Sequence, residues 1–144
     1  MIKTIGDRAL PFNREHWSLS FSAQFKAKQK HTKDIDLATK LRRAWQVLRI
    51  QHPSIACIAA DGLVHYFVPE AQSLDAWTGD TFFVVDEDHI ATSDLVAGFK
   101  PGPHVTMHYL PHHSQVLIHA SHWPTDGVGA IQLLDAYFEA VTSD

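Results

Sequence analysis

A single cysteine, Cys57, among 144 residues excludes an intrachain disulfide, and its SIACIAA setting is that of a small buried residue. No apolar run approaches the length needed to span a bilayer. The opening MIKTIGDRALPFNREH lacks the continuous apolar core of a secretory signal. A cytoplasmic protein without a membrane partner is therefore expected. Positive charge is also scarce, with 12 Lys and Arg against 16 Asp and Glu and a formal net charge of −4. Nucleic acid would demand a basic stripe. The nearest candidate, residues 26–40, also holds Asp34 and Asp36, so no nucleic-acid partner is expected. Three common catalytic fingerprints are missing as well: no G-x-S-x-G elbow, no G-x-x-x-x-G-K loop, and no G-x-G-x-x-G. The GVG at 127–129 lacks the third glycine.

What remains is a globular composition, 45% hydrophobic and 19% charged, in a chain long enough for one domain, 1–144, and one core. No repeat, low-complexity tract or linker divides it. Residues 1–18 are mixed and expected to be irregular. Residues 19–25, LSFSAQF, alternate apolar and polar as a half-buried strand does. Residues 36–52 place Leu37, Leu41, Ala44, Trp45 and Leu48 at the spacing of a helix stripe, with Asp34 or Asp36 to cap it and Pro53 to end it. Two short strands, 55–60 and 63–68, flank Asp61-Gly62, a hairpin turn pair. Phe82 to Val85 is predicted to be a buried strand, and residues 100–103 a loop. Residues 105–110 and 115–121 make a second predicted hairpin across Pro111-His-His-Ser114. A helix over 128–141 closes the chain, with Ile131, Leu134, Phe138 and Val141 on one side. Strands and helices alternate without a regular βαβ rhythm. The expected class is α/β, a largely antiparallel or mixed sheet packed with helices.

Eleven histidines invite a metal reading. His104 and His108 would share one face of a strand, but their Cα atoms would then lie about 13 Å apart. One zinc needs both imidazole nitrogens at about 2 Å. No metal site is expected from them, and ordinary polar-face histidines are the better assignment. Acidic pairs such as Asp86 and Asp88 are explained as turn residues.

The segment His122-Trp-Pro-Thr-Asp126-Gly127 stands apart because of where it falls, between the last strand and the last helix. Along that strand Val116, Ile118, Ala120 and His122 share one face, and Leu117, His119 and Ser121 the other. The imidazole of His122 thus ends an apolar row. Trp123 and Pro124 stiffen the exit, Asp126 can accept backbone N–H bonds at the helix start, and Gly127 lets the chain turn. A histidine held this way suits general-base work near neutral pH. An N-capping Asp beside a histidine that merely packs fits the same pattern.

The strand–H-x-x-x-D-G–helix element resembles the active-site motif of the chloramphenicol-acetyltransferase-like superfamily, which includes peptide-synthetase condensation domains and acyl-CoA-dependent acyltransferases. A second stretch, LRRAWQVLRIQHPSIAC at 41–57, is similar to the AW-x-x-LR-x-x-HP-x-IA wording of fungal trichothecene-acetyltransferase-like members. The two matches fall in the family's order and take in most of the chain. The resemblance implies a single N-terminal-type lobe and acyl transfer in fungal secondary metabolism. It implies His122 as the base that deprotonates a hydroxyl or amine attacking a thioester of coenzyme A or a pantetheinyl carrier. No cofactor would be held tightly. It assigns Asp126 and Gly127 to structural support of the site, and the segment places Trp123, Ser121, Ala120 and Ile118 as candidate walls of a pocket. Two departures bear on this. The family's Arg-His pair at the helix end is Gln51-His52 here, so Asp126 requires Arg49 or another cation. Members are also two-lobed and several times longer, and no D-F-G-W-G-like motif occurs.

A lone lobe leaves a face to be covered, so a homodimer or a partner protein on that face is expected, beside a small-molecule substrate. Two other functions suit the same residues. One is proton transfer, cyclisation or isomerisation of a small molecule without a thioester, which needs only a shaped pocket and one acid/base group. The other is a non-catalytic lobe that binds a synthetase partner.

Overall fold

Alternating side chains and a tight turn near the C-terminus organise the sheet. The computed structural model describes residues 18–26, 36–100, 102–121 and 127–143. Strand β5 (Thr106–Leu110) and strand β6 (Gln115–Ser121) form an antiparallel hairpin in register Tyr109↔Val116 and Met107↔Ile118. One turn of 3₁₀ helix over Pro111–His113 joins them, and Ser114 closes it in the left-handed region at φ 47°. Strand β1 (Ser18–Gln24) adds antiparallel to the other edge of β6, with Phe21 opposite Ile118. The short strand β4 (Phe82–Val84) lies parallel to β5. The four-stranded order is β1-β6-β5-β4. A mixed sheet packed with helices, α/β, is the fold expected.

One face of this sheet is covered by helices. Helix α1 (Leu37–Gln51) buries Leu41, Ala44, Trp45 and Leu48, with Leu37 half-buried at the start of the stripe. Asp36 sits at its N-cap without a side-chain cap bond, and Asp34 lies outside the described residues. Pro53 ends the helix as expected and starts a 3₁₀ turn, Pro53–Ala56. Helix α4 (Gly127–Thr142) packs beside α1 and buries Ala130, Leu133, Tyr137 and Ala140. Together these meet Met107, Tyr109, Val116, Ile118 and Ala120 of the sheet in one core. Two polar groups inside the core find partners: the Tyr137 hydroxyl donates to the Leu41 carbonyl at 3.0 Å, and the Trp45 indole N–H donates to Thr81 Oγ1 at 3.0 Å.

Several elements differ from the sequence-based expectation. The buried face of α4 is turned about one residue from the predicted stripe. Ile131 is 56% exposed, while Leu134, Phe138 and Val141 flank the core. Residues 58–60 (β2, Ile58–Ala60) and 63–65 (β3, Leu63–His65) do form the hairpin, with Asp61 and Gly62 both at positive φ. Both strands are shorter than predicted, and the hairpin stands apart from the main sheet. Strand β4 buries Phe82 but exposes Phe83 and Val84, because it is an edge strand.

Helices α2 (Ala71–Thr81) and α3 (Thr92–Gly98) carry no clear sequence signal. The first has only Leu74 and Trp77 as large apolar residues, and its Thr78 and Thr81 hydroxyls bond back to Leu74 and Trp77 carbonyls. The second buries no residue. No described helix is long and apolar enough to cross a membrane.

Candidate functional site

Strand β6 and helix α4 flank the H-x-x-x-D-G segment in the chain, and both are anchored in the core. Strand β6 is interior to the sheet, so its backbone is paired on both sides up to His119, and Ala120 beyond it faces Leu19 on β1. Helix α4 is tied to α1 by the Tyr137 hydroxyl and by the edge contact of Tyr137 with Trp45, ring centroids 6.3 Å apart. Burial pushes the Tyr137 hydroxyl well above the usual phenol range, so it stays a neutral donor.

His122, Trp123 and Asp126 lie outside the described residues. The segment's neighbours are described. Ile118 and Ala120 are each 1% exposed and pack in the central core. Ser121 ends β6 with its backbone opposite Ser18. Gly127 opens α4 in an ordinary φ range, and a Cβ there would meet nothing within 4 Å.

Arg49, the cation the sequence offered for Asp126, is buried at 4% exposure near the end of α1. Its guanidinium donates to the Tyr66 hydroxyl at 2.9 Å and to the Phe67 carbonyl at 2.7 Å. It also lies over the Tyr66 and Trp77 rings, 4.7 and 5.5 Å from their centroids. Among the described residues no carboxylate pairs with it, and its Nε has no hydrogen-bond partner. Local sequence pattern could not have shown this cluster, because Arg49 and Tyr66 meet only once the hairpin folds back on α1.

The sheet face away from the helices holds a second group of polar residues. In register, Ser20 and Thr106 flank His119, and His108 lies beside Leu117 and Phe83. Ser20 Oγ and His119 Nδ1 are 2.9 Å apart, and Thr106 Oγ1 and His108 Nε2 are 3.0 Å apart. The Phe99 ring lies over both imidazoles, with centroids 4.7 Å from His108 and 4.3 Å from His119. Burial, and secondarily the neighbouring His119, pushes the His108 imidazole down to about 4. Burial lowers His119 too. His108 is therefore a covered, neutral histidine rather than a solvated one. His104 precedes β5 instead of sharing a strand face with it, and its Nδ1 is buried without a partner. Among the described residues no three His, Cys, Asp or Glu side chains converge as metal ligands would.

No protein-family model matches the chain. Two curated proteins of Monascus ruber are similar to it. Acetyltransferase pigO is 44% identical over 139 residues, 96% of this chain and 30% of pigO. O-acetyltransferase pigM is 35% identical over 128 residues, 89% of this chain and 24% of pigM. The chain thus spans under a third of the length of either relative. At most five residues of the chain lie outside the match to pigO, so the His122–Gly127 segment falls within it.

Proposed function

We propose that this chain is an acyl-transfer lobe of the chloramphenicol-acetyltransferase-like kind, acting in fungal secondary metabolism, with His122 as its general base. The observation that carries the proposal is the match along 96% of the chain to a protein named as an acetyltransferase. The anchored β6–α4 arms support it, because a base must be held to within a fraction of an ångström to act.

In this reading His122 takes the proton of an acceptor hydroxyl as the oxygen attacks the thioester carbonyl carbon. The tetrahedral intermediate then collapses and the carbon–sulfur bond breaks. The imidazolium returns its proton to the leaving sulfur, so the products are an ester and a free thiol. Hydroxyls are the first acceptors to test, since pigM is named for transfer to oxygen; amines follow. The donor is an acyl thioester of coenzyme A or a pantetheinyl carrier, bound as a co-substrate. Asp126 and Gly127 hold the loop, Trp123 and Ser121 are assigned to the wall beside the imidazole, and Ile118 and Ala120 support that end of β6 from within the core.

The chain spans under a third of either relative, and a second copy of it is the first candidate to cover the lobe face and add to the thioester-binding wall. Light scattering tests that assignment; a monomer at assay concentration excludes the second copy. The reaction itself is tested by incubating the protein with acetyl-coenzyme A and a panel of primary and secondary alcohols and amines. Thiol release that depends on the acceptor is expected. Product formation with no binding of coenzyme A would replace this reading with thioester-free proton-transfer chemistry. No product with any acceptor, alone or with neighbouring pathway proteins, would leave a non-catalytic lobe.

A further inference from the structure

The outer sheet face is apolar in part and yet covered: Leu110 and Leu117 lie on it and are each 1% exposed. The segment between β4 and β5 crosses this face, and its contacts with the sheet follow a pattern. His112 Nε2 donates to the Asp86 carbonyl at 3.2 Å and lies 3.2 Å from the Asp86 carboxylate. His113 Nε2 donates to the Ile90 carbonyl at 3.0 Å. Thr92 Oγ1 bonds Gln115 Oε1 at 2.6 Å. At the far end Phe99 rests on His108 and His119, and His108 also stacks with Phe83 at 5.1 Å. Helix α3 itself buries nothing. The segment is thus fastened at its two ends, largely through histidines.

We propose that residues 86–99 are a strap closed over the outer sheet face, and that protonation of His108 and His119 releases its Phe99 end while the Asp86 end stays fastened. The two ends differ in their contacts. The Asp86 end is held by ring N–H groups donating to main-chain carbonyls, His112 to Asp86 and His113 to Ile90, and such bonds do not require a neutral ring. Two imidazolium rings under one phenyl ring repel each other and must be hydrated, and with Phe99 in place His108 is buried and His119 half-buried. A single cation would gain from the ring face, but that gain is small beside the cost of desolvating two charges. The facing residues from β1 are Ser20 and Ser22, from β4 Phe83, and from the strap Phe99, none of which titrates in this range. The strap's charged and titratable residues, Asp86, Glu87, Asp88, His89 and Asp94, are exposed, as is Lys100 beside Phe99. His104, ahead of β5, is the remaining titratable group on the connection. Both outer-face imidazoles are already biased toward neutrality, which sets the closed state near pH 7.

Amide hydrogen exchange of the full chain between pH 7.5 and 4, corrected for intrinsic rates, tests the strap. The expected result is at least a tenfold loss of protection at residues 95–99, with protection in β5 and β6 retained. The variants His119→Gln and His108→Phe, examined separately, should each reduce that pH response. Two variants guard against one failing to fold. Unchanged protection at 95–99 across the range would overturn the proposal. So would a loss at 95–99 that runs in step with the core amides, or a full pH response in both variants.

Discussion

Tyr137→Phe removes one oxygen from the centre of the molecule and tests how α4 is held. Tyr137 is fully buried, and its hydroxyl has one partner, the Leu41 carbonyl of α1, at 3.0 Å. That carbonyl also serves the α1 backbone ladder, so deleting the hydroxyl leaves it singly bonded and not orphaned. The loss should then be that of one net hydrogen bond, about 1 kcal/mol, lowering Tm by about 3 °C in a chain of this size. Tyr137→Ala removes the ring as well. It opens a cavity beside Trp45 and Phe138 and should cost about 3–5 kcal/mol. Urea melts of both variants give these values, with unchanged m in Tyr137→Phe showing that the unfolding transition is the same. Since the hydroxyl stays neutral, the Tyr-to-Phe difference should not vary between pH 6 and pH 9. A Phe variant as stable as the parent, or as unstable as the Ala variant, would refute the claim that this bond pins α4 to α1.

Three further outcomes are expected. His108, held down near 4, binds fewer protons folded than unfolded below pH 6.5, so its contribution to stability is complete above pH 6.5 and falls away toward pH 4. Up to about 3 kcal/mol is at stake; denaturant midpoints against pH should show the slope, and His108→Phe should flatten it. Arg49→Ala removes charge-assisted bonds to Tyr66 and Phe67 and should cost about 2–3 kcal/mol. Faster exchange at residues 66–68 is the local signature, and unchanged exchange there would contradict the anchoring role. Gly62→Ala strains a turn at φ +74° and should cost about 1 kcal/mol by thermal melt, while Gly62→Asn should cost less.

The parts of the fold legible in the sequence were those with local periodicity. The α1 stripe, the β1 alternation and the Asp61-Gly62 turn each depend on neighbours within a few residues, and each is found. Elements defined by distant contacts were not legible. Helix α2 is held by Trp77 stacked on Trp45 at 5.5 Å and by Thr81 accepting the Trp45 indole, a pairing across 36 residues. The α4 face was misjudged because alanines and a tyrosine line the α1 contact while a larger aliphatic, Ile131, stays outside. The same contrast holds for chemistry. The His122–Gly127 pattern is contiguous and could be picked out at once. The His108–His119 pair needs the β5–β6 register to bring it under Phe99, and no spacing rule along the chain predicts that.

The proposed chemistry turns on one side chain, and label transfer tests it directly. The protein and its His122→Ala variant are given acetyl-coenzyme A carrying isotope in the acetyl carbonyl, with an alcohol the parent accepts. The parent should place the label in an ester and release one free thiol per ester formed. The variant should be slower by about 10²–10⁴-fold while still binding coenzyme A. Equal transfer by both proteins, or ester formed without loss of thioester, would contradict His122 as the base of an acyl transfer.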